Sequence, residues 1–289
     1  MQLRAGAVTL EVDDRGPRSG EPVLLIMGLG MQLIAWPEAL VDDLVARGHR
    51  VIRFDNRDAG LSQGFDELGV PNLAVAALRW WLRLPVRAPY SLADMAGDAL
   101  ALLDALGIAR ARVCGASMGG MIAQHLAAKH PDRVSRLTLM MTSSGARRLP
   151  QARPHVRGAL LARPKGQDID AVVGHLEHLF HLIGSPGHRP DPAVLHERLR
   201  ASVERAWRPA GTARQLCAIA ADGDRTPLLR RITTPTTVIH GRDDPLIPPA
   251  CGEDLARHIA GARLELLPGM GHDLPDTLLP RFADTISNG

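Results

Sequence analysis

The sequence predicts an α/β protein, a mostly parallel β-sheet flanked by helices and interrupted once by an inserted, mainly helical cap. Three observations carry this. Short apolar runs alternate with amphipathic stretches through the first 144 residues, as in strand-helix-strand units covered on both faces. Strand-like runs then disappear between about 145 and 228 and return near Thr236. Glycine-rich segments fall directly after apolar runs, where a chain leaving a strand must turn sharply.

Taken in order, residues 23–27 (Val-Leu-Leu-Ile-Met) read as a continuous apolar strand, followed by Gly28-Leu29-Gly30. Residues 51–55 read as the next strand, 92–106 as a helix, 109–114 as a strand, and 120–130 as an Ala-rich helix with Pro131 beyond its end. Residues 137–141 are a further strand. After Thr142-Ser143-Ser144-Gly145 the chain becomes rich in Arg, Pro and His at helical spacing. Residues 236–240 and 264–267 complete the sheet. The expected organisation is a discontinuous core, 1–144 with 229–289, and a helical cap, 145–228; no internal repeat or low-complexity tract interrupts it.

A chain of 289 residues with 45% hydrophobic and 22% charged residues can bury a sizeable core and does not have a disordered composition. The net charge of +3 comes from arginines scattered through every segment, with no dense basic tract or interleaved aromatics, so nucleic acid is not an expected partner. Three cysteines give no even framework, and Cys114, inside a strand, serves as a small buried hydrophobe. The first 13 residues lack the basic start, apolar stretch and cleavage site of a secretory signal, and no apolar run approaches the roughly 18 residues that span a bilayer. A cytoplasmic location and no membrane partner are therefore expected. Nothing in the sequence points to an oligomeric state, and no residue pattern calls for a metal or organic cofactor.

The chemistry is concentrated in Gly115-Ala116-Ser117-Met118-Gly119, a G-x-S-x-G between a strand and a helix. A strand turning directly into a helix holds its middle residue at strained backbone angles, and side chains two positions either side would clash. Ser117 is the expected nucleophile. A serine hydroxyl is a weak nucleophile at neutral pH and needs a histidine base and a carboxylate, here arriving later in the chain in the order Ser, Asp, His. Gly241-Arg242-Asp243-Asp244-Pro245 follows an apolar strand and supplies the acid, Asp244, with Asp243 as the alternative. Pro268-Gly269-Met270-Gly271-His272-Asp273 follows the last strand, and His272 is the expected base. An oxyanion hole requires two backbone N–H groups, and those of Leu29 and Met118 are expected to form it.

The Met27-Gly28 turn, residues 55–62 (Asp-Asn-Arg-Asp-Ala-Gly-Leu-Ser), the Ser117 turn, the Asp244 loop and Gly271-His272 together resemble the α/β-hydrolase superfamily. Within it the chain is similar to aclacinomycin methylesterase-like esterases, in which Met-Gly replaces the commoner His-Gly before the oxyanion donor. The resemblance runs from about Val23 to about Pro275 and is weakest over 147–188. It implies a triad mapped onto Ser117, Asp244 and His272, and oxyanion donors mapped onto Leu29 and Met118.

Three other features invite different readings. His175-Leu176-Glu177-His178-Leu179-Phe180-His181 places three histidines at helical spacing, but the glutamate position departs from H-E-x-x-H zinc sites, and a cap helix with Leu176, Leu179, Phe180 and Leu182 packed inward is expected. His240-Gly241 copies the oxyanion His-Gly pair too late in the chain. The 55–62 segment reads as a structural turn, with Arg57 and Asp58 bonding neighbouring loops.

The expected activity is serine carboxylic ester hydrolysis of an uncharged, hydrophobic small-molecule ester. Met27, Met31, Trp36, Met118, Met141, Phe180 and Trp207 are expected to line the pocket. A serine at this turn disfavours dehalogenase and epoxide hydrolase chemistry, which use aspartate there. Carbon–carbon bond hydrolase, thioesterase, lactonase and cofactor-free perhydrolase chemistry stay open. A catalytically silent ligand-binding protein is the reading from a different class.

Overall fold

A computed structural model describes residues 1–288. It opens on two strands absent from the sequence expectation, β1 (Gln2–Ala5) and β2 (Val8–Arg15), paired antiparallel. β2 buries Val8, Leu10 and Val12 and leaves the residues between them half-buried, the period-two pattern of a strand covered on one face.

Next come β3 (Pro22–Ile26), α1 (Glu38–Ala46), β4 (Arg50–Phe54), α2 (Leu73–Trp81), α3 (Leu92–Ala105), β5 (Ala111–Ala116), α4 (Met118–Lys129) and β6 (Val134–Met140). Between β6 and the next strand lie α5 (Pro154–Leu161), α6 (Ile169–Ile183), α7 (Pro192–Arg205), α8 (Pro209–Asp222) and the single turn α9 (Thr226–Leu229). The chain closes with β7 (Thr236–Gly241), α10 (Ala250–His258), β8 (Arg263–Leu267) and α11 (Leu279–Asn288).

The eight strands form one sheet in the order β1-β2-β4-β3-β5-β6-β7-β8. β2 meets β4 antiparallel, and every pair from β4 to β8 is parallel. β3 lies at its centre and sends side chains alternately to two cores. Leu24 and Ile26 pack with Leu102, Ile122 and Leu126 of α3 and α4. Val23 and Leu25 pack with Leu40 and Leu44 of α1 and Phe282 of α11. Each such fully buried aliphatic or aromatic side chain contributes roughly 1.5–3 kcal/mol.

The boundaries shift at the Ser117 turn. The strand expected over 109–114 runs to Ala116, because its ladder with β6 continues to Ala116 opposite Met140. The helix expected from 120 begins at Met118, leaving Ser117 alone to make the reversal. One pocket expectation is overturned by the same layering. Trp36 is fully buried among Val23, Leu25 and Leu40 on the α1 side of the sheet, so its indole is core and does not reach the cleft. The Met118 side chain is likewise buried, packed in the α3–α4 core.

The 55–62 segment ties the sheet to the helices that follow β6. Arg57 donates to both oxygens of Asp98 at 2.6 and 2.7 Å. Asp58 accepts from Arg214 of α8 at 2.8 and 2.7 Å, from the Tyr90 hydroxyl at 2.8 Å and from the Phe65 N–H. Burial pushes the Asp58 carboxyl up, but these donors outweigh it and hold the group below its usual range. Asp55 accepts from the N–H of Leu33 and Leu61 and from Arg205 of α7.

Candidate active site

β5 runs into α4 through Ser117 at φ 54°, ψ −118°, a left-handed conformation for a residue with a Cβ. Such a position costs about 1–3 kcal/mol and persists only where its surroundings enforce it. Here they do: the Ser117 N–H donates to Met140 O at 2.9 Å, and Thr142 Oγ1 donates to Ser117 O at 2.6 Å. The flanking glycines are sterically required. A Cβ on Gly119 would sit 2.0 Å from Ile26 O, and one on Gly115 would sit 2.3 Å from Gly119 O.

β7 and β8 deliver the other two side chains. Asp244, buried, follows β7; its Oδ1 accepts the N–H of Leu246 at 2.9 Å and of Ile247 at 2.8 Å. Its Oδ2 faces His272 Nδ1 at 2.7 Å, and His272 Nε2 faces Ser117 Oγ at 3.0 Å. The structure thus brings Ser117, His272 and Asp244 into one hydrogen-bonded line. Asp243 is exposed and turns away, accepting the Gly269 N–H at 2.9 Å.

The Gly28 turn lies against Ser117, where a Cβ on Gly28 would be 3.2 Å from Ser117 Cβ. The turn is held by three contacts. Asn56 Nδ2 donates to Met27 O at 2.9 Å, the Gly30 N–H donates to Gln215 Oε1 at 2.8 Å, and Gln215 Nε2 donates to Arg57 O at 2.7 Å. Among the described residues, neither the Leu29 nor the Met118 N–H donates to a protein acceptor. Both lie where the positive end of the α4 dipole adds to their field.

Three supporting groups, Ser185, Asp273 and His240, are given no role by the sequence reading. The His272 N–H donates to Ile183 O at 2.7 Å, and the Gly271 N–H donates to Ser185 Oγ at 2.8 Å, tying the histidine loop to the end of α6. The Ser185 hydroxyl donates in turn to Asp273 Oδ1. Burial pushes the Asp273 carboxyl above its usual range despite that bond. Beneath Asp244 lies His240, whose Nε2–H donates to Ile247 O at 2.7 Å and whose pKa burial pushes below the usual imidazole range. Asp273 carries a sequence signal in its adjacency to His272, and His240 in its place at the end of the strand before the acid loop; Ser185 carries none.

The site opens into a cleft of about 2310 Å³ between the sheet ends and the helices after β6. Ser117, His272, Met27, Leu29, Met31, Met141, Phe180 and Trp207 all line it. On α6, Leu176 and Phe180 pack with Val172, Val173, Leu199 and Val203, while His175, Leu179, and the exposed His178 and His181 reach the cleft.

A model of the alpha/beta hydrolase fold matches residues 21–277, and the chain belongs to that family of hydrolases. Among curated proteins it is 31% identical to rhodomycin D methylesterase DauP of Streptomyces sp. (strain C5), the alignment covering 93% of this chain and 90% of that one. It is 32% identical to 3-oxoadipate enol-lactonase 2 of Acinetobacter baylyi over 62% of this chain and 63% of that one. A solved hydrolase of Pseudomonas aeruginosa superposes with a TM-score of 0.71 at 28% identity, covering 100% of this chain and 98% of the other. The resemblance drawn from the Ser117, Asp244 and His272 motifs therefore names the right family.

Proposed function

We propose that the protein is a serine carboxylic ester hydrolase working through an acyl-enzyme on an uncharged, hydrophobic ester. The line Asp244–His272–Ser117, with contacts of 2.7 and 3.0 Å, carries this reading.

Ser117 Oγ attacks the ester carbonyl carbon while His272 Nε2 takes the hydroxyl proton. The carbonyl oxygen becomes an oxyanion and receives the N–H groups of Leu29 and Met118. Collapse of this intermediate breaks the bond to the alkoxy oxygen, which leaves as the alcohol after taking the proton from His272. Water, deprotonated by His272, then attacks the acyl-Ser117 carbonyl, and a second collapse returns the serine hydroxyl and releases the carboxylic acid. Asp244 fixes the Nδ1–H tautomer of His272 and stabilises the imidazolium.

The apolar wall of Met27, Met31, Met141, Phe180 and Trp207 supports an uncharged hydrophobic substrate. The methylesterase relative supports an ester as the bond cleaved. The enol-lactonase relative fits the same steps with a cyclic ester, whose leaving oxygen stays tethered to the acyl group.

Hydrolysis of p-nitrophenyl esters from acetate to decanoate, compared between the native protein and Ser117→Ala, tests the proposal. Activity in the native protein that vanishes in the variant is the expected result. Equal activity in both, or none in either, would overturn it.

A further inference from the structure

Helix α2 reverses the usual relation between an amphipathic helix and its protein. Eight of its nine residues are apolar, yet none is buried. An apolar stripe at i, i+3, i+6 and i+7 normally faces the core. Here that stripe is Val75, Leu78, Trp81 and Leu82, exposed by 51, 55, 73 and 50%. The helix is nonetheless well formed. Asn72 Oδ1 accepts the Val75 N–H at its start, Arg83 closes its end at φ 60°, and Trp80, on the inner side, packs beneath the Arg147 guanidinium at 5.2 Å. Val70 and Leu84, also exposed, extend the patch beyond both ends. An exposed apolar surface of this kind marks an interaction site.

Its charge says what covers it. From Leu73 to Pro89 the chain carries Arg79, Arg83 and Arg87 and no carboxylate, and none of these arginines pairs with an acid among the described residues. A two-fold pairing with a second copy would set the same three cations against themselves. An anionic lipid surface complements them, and a helix with Trp and Leu on one side and Arg around it is suited to lie in the headgroup layer. The residues leading into α2, Val70 to Ala74, line the cleft that holds Ser117.

We propose that α2 and the turn after it dock on an anionic phospholipid bilayer, setting the cleft beside the membrane surface. The sequence expectation of no membrane partner followed from the lack of a spanning run, and among the described residues no helix is long and apolar enough to cross a membrane. A helix that lies on the surface needs no such run.

The test is sedimentation of the full chain with vesicles of phosphatidylcholine, with and without phosphatidylglycerol. The native protein is expected to pellet with the phosphatidylglycerol vesicles, and less so as salt rises. Leu78→Glu with Trp81→Glu is expected to abolish pelleting, and Arg83→Gln with Arg87→Gln to weaken it about fivefold per arginine. Unchanged thermal melts and unchanged hydrolysis of a short soluble ester show that these variants fold. No pelleting of the native protein, or pelleting that survives the Leu78/Trp81 change, would overturn the proposal, as would a lipid-free dimer that Trp81→Glu dissociates. Pelleting is read without substrate, so its outcome is independent of whether the esterase reading holds.

Discussion

Asp243 and Asp244 differ by one position, and replacing each by Asn separates their roles. At Asp244 an Asn can keep Oδ1 on the N–H groups of Leu246 and Ile247, so the loop is retained. The other carboxylate oxygen, which accepts from His272 Nδ1 at 2.7 Å, becomes an NH2 that can only donate. The imidazole then presents Nδ1 as acceptor and carries its proton on Nε2, facing Ser117 Oγ at 3.0 Å with no lone pair to take the hydroxyl proton. Loss of the correct tautomer costs about 10,000-fold in kcat, equivalent to about 5.4 kcal/mol of barrier. At Asp243 an Asn can turn its remaining oxygen to the Gly269 N–H, so the same change should shift stability by less than about 1 kcal/mol and leave kcat within about twofold. The assay is p-nitrophenyl butyrate turnover with a thermal melt on each variant. An Asp244→Asn protein that melts normally and retains more than about a tenth of native kcat would refute the tautomer argument, as would an Asp243→Asn protein equally inactive.

Asp273→Asn keeps an oxygen for the Ser185 hydroxyl and removes a charge. The folded pKa of Asp273 lies above its unfolded value of about 3.9, so ionising it costs the fold stability as pH rises through the folded value. The variant should melt higher than the native protein at pH 7.5, the gain disappearing near pH 3.5; equal melts at both pH values would refute this. Arg214→Met strands the buried Asp58 carboxylate and should lower unfolding free energy in urea by about 3–5 kcal/mol, with a loss below about 1 kcal/mol counting against an essential pair. Gly119→Ala forces a Cβ onto Ile26 O and should abolish folded, active protein, whereas Gly97→Ala, exposed in α3 with nothing within 4 Å, should raise stability by up to about 1 kcal/mol. A soluble, active Gly119→Ala protein would show that the turn has room that the structure denies.

The parts of the site that the sequence exposed are those whose chemistry is local. Ser117 announces itself because strand, turn and helix must fit within a few residues, and the glycines two positions either side are demanded by contacts of 2.0 and 2.3 Å. The choice between Asp243 and Asp244 is not local: it depends on β8 bringing Gly269 to one carboxylate and His272 to the other. Trp36 has an apolar side chain near the Gly28 turn, but the turn into α1 carries it under the sheet. Ser185 meets Gly271 and Asp273 only through the path of α6, and no spacing in the sequence encodes that meeting. α2 is apolar at eight of nine positions, and nothing in its sequence tells that Val75, Leu78 and Trp81 face outward.

The loops around Ser117 are bonded to the very helices that wall the cleft. Arg205 of α7 donates to both Asp55 and Gln32, while Arg214 of α8 grips Asp58 and Gln215 of α8 holds Gly30. The end of α6 takes the N–H of His272 through Ile183 O. The Gly30 turn bears one expected oxyanion donor, and the His272 loop bears the expected base. Displacing α6, α7 or α8 would therefore disturb catalytic geometry directly, and a shift of about 1 Å at such groups can cost on the order of 100-fold in rate. Helix α2 packs against α8, and its leading residues line the cleft. The α2 side of the wall is therefore coupled to the same network through α8, whose Arg214 also donates to Gly69 O, just ahead of α2, at 2.8 Å.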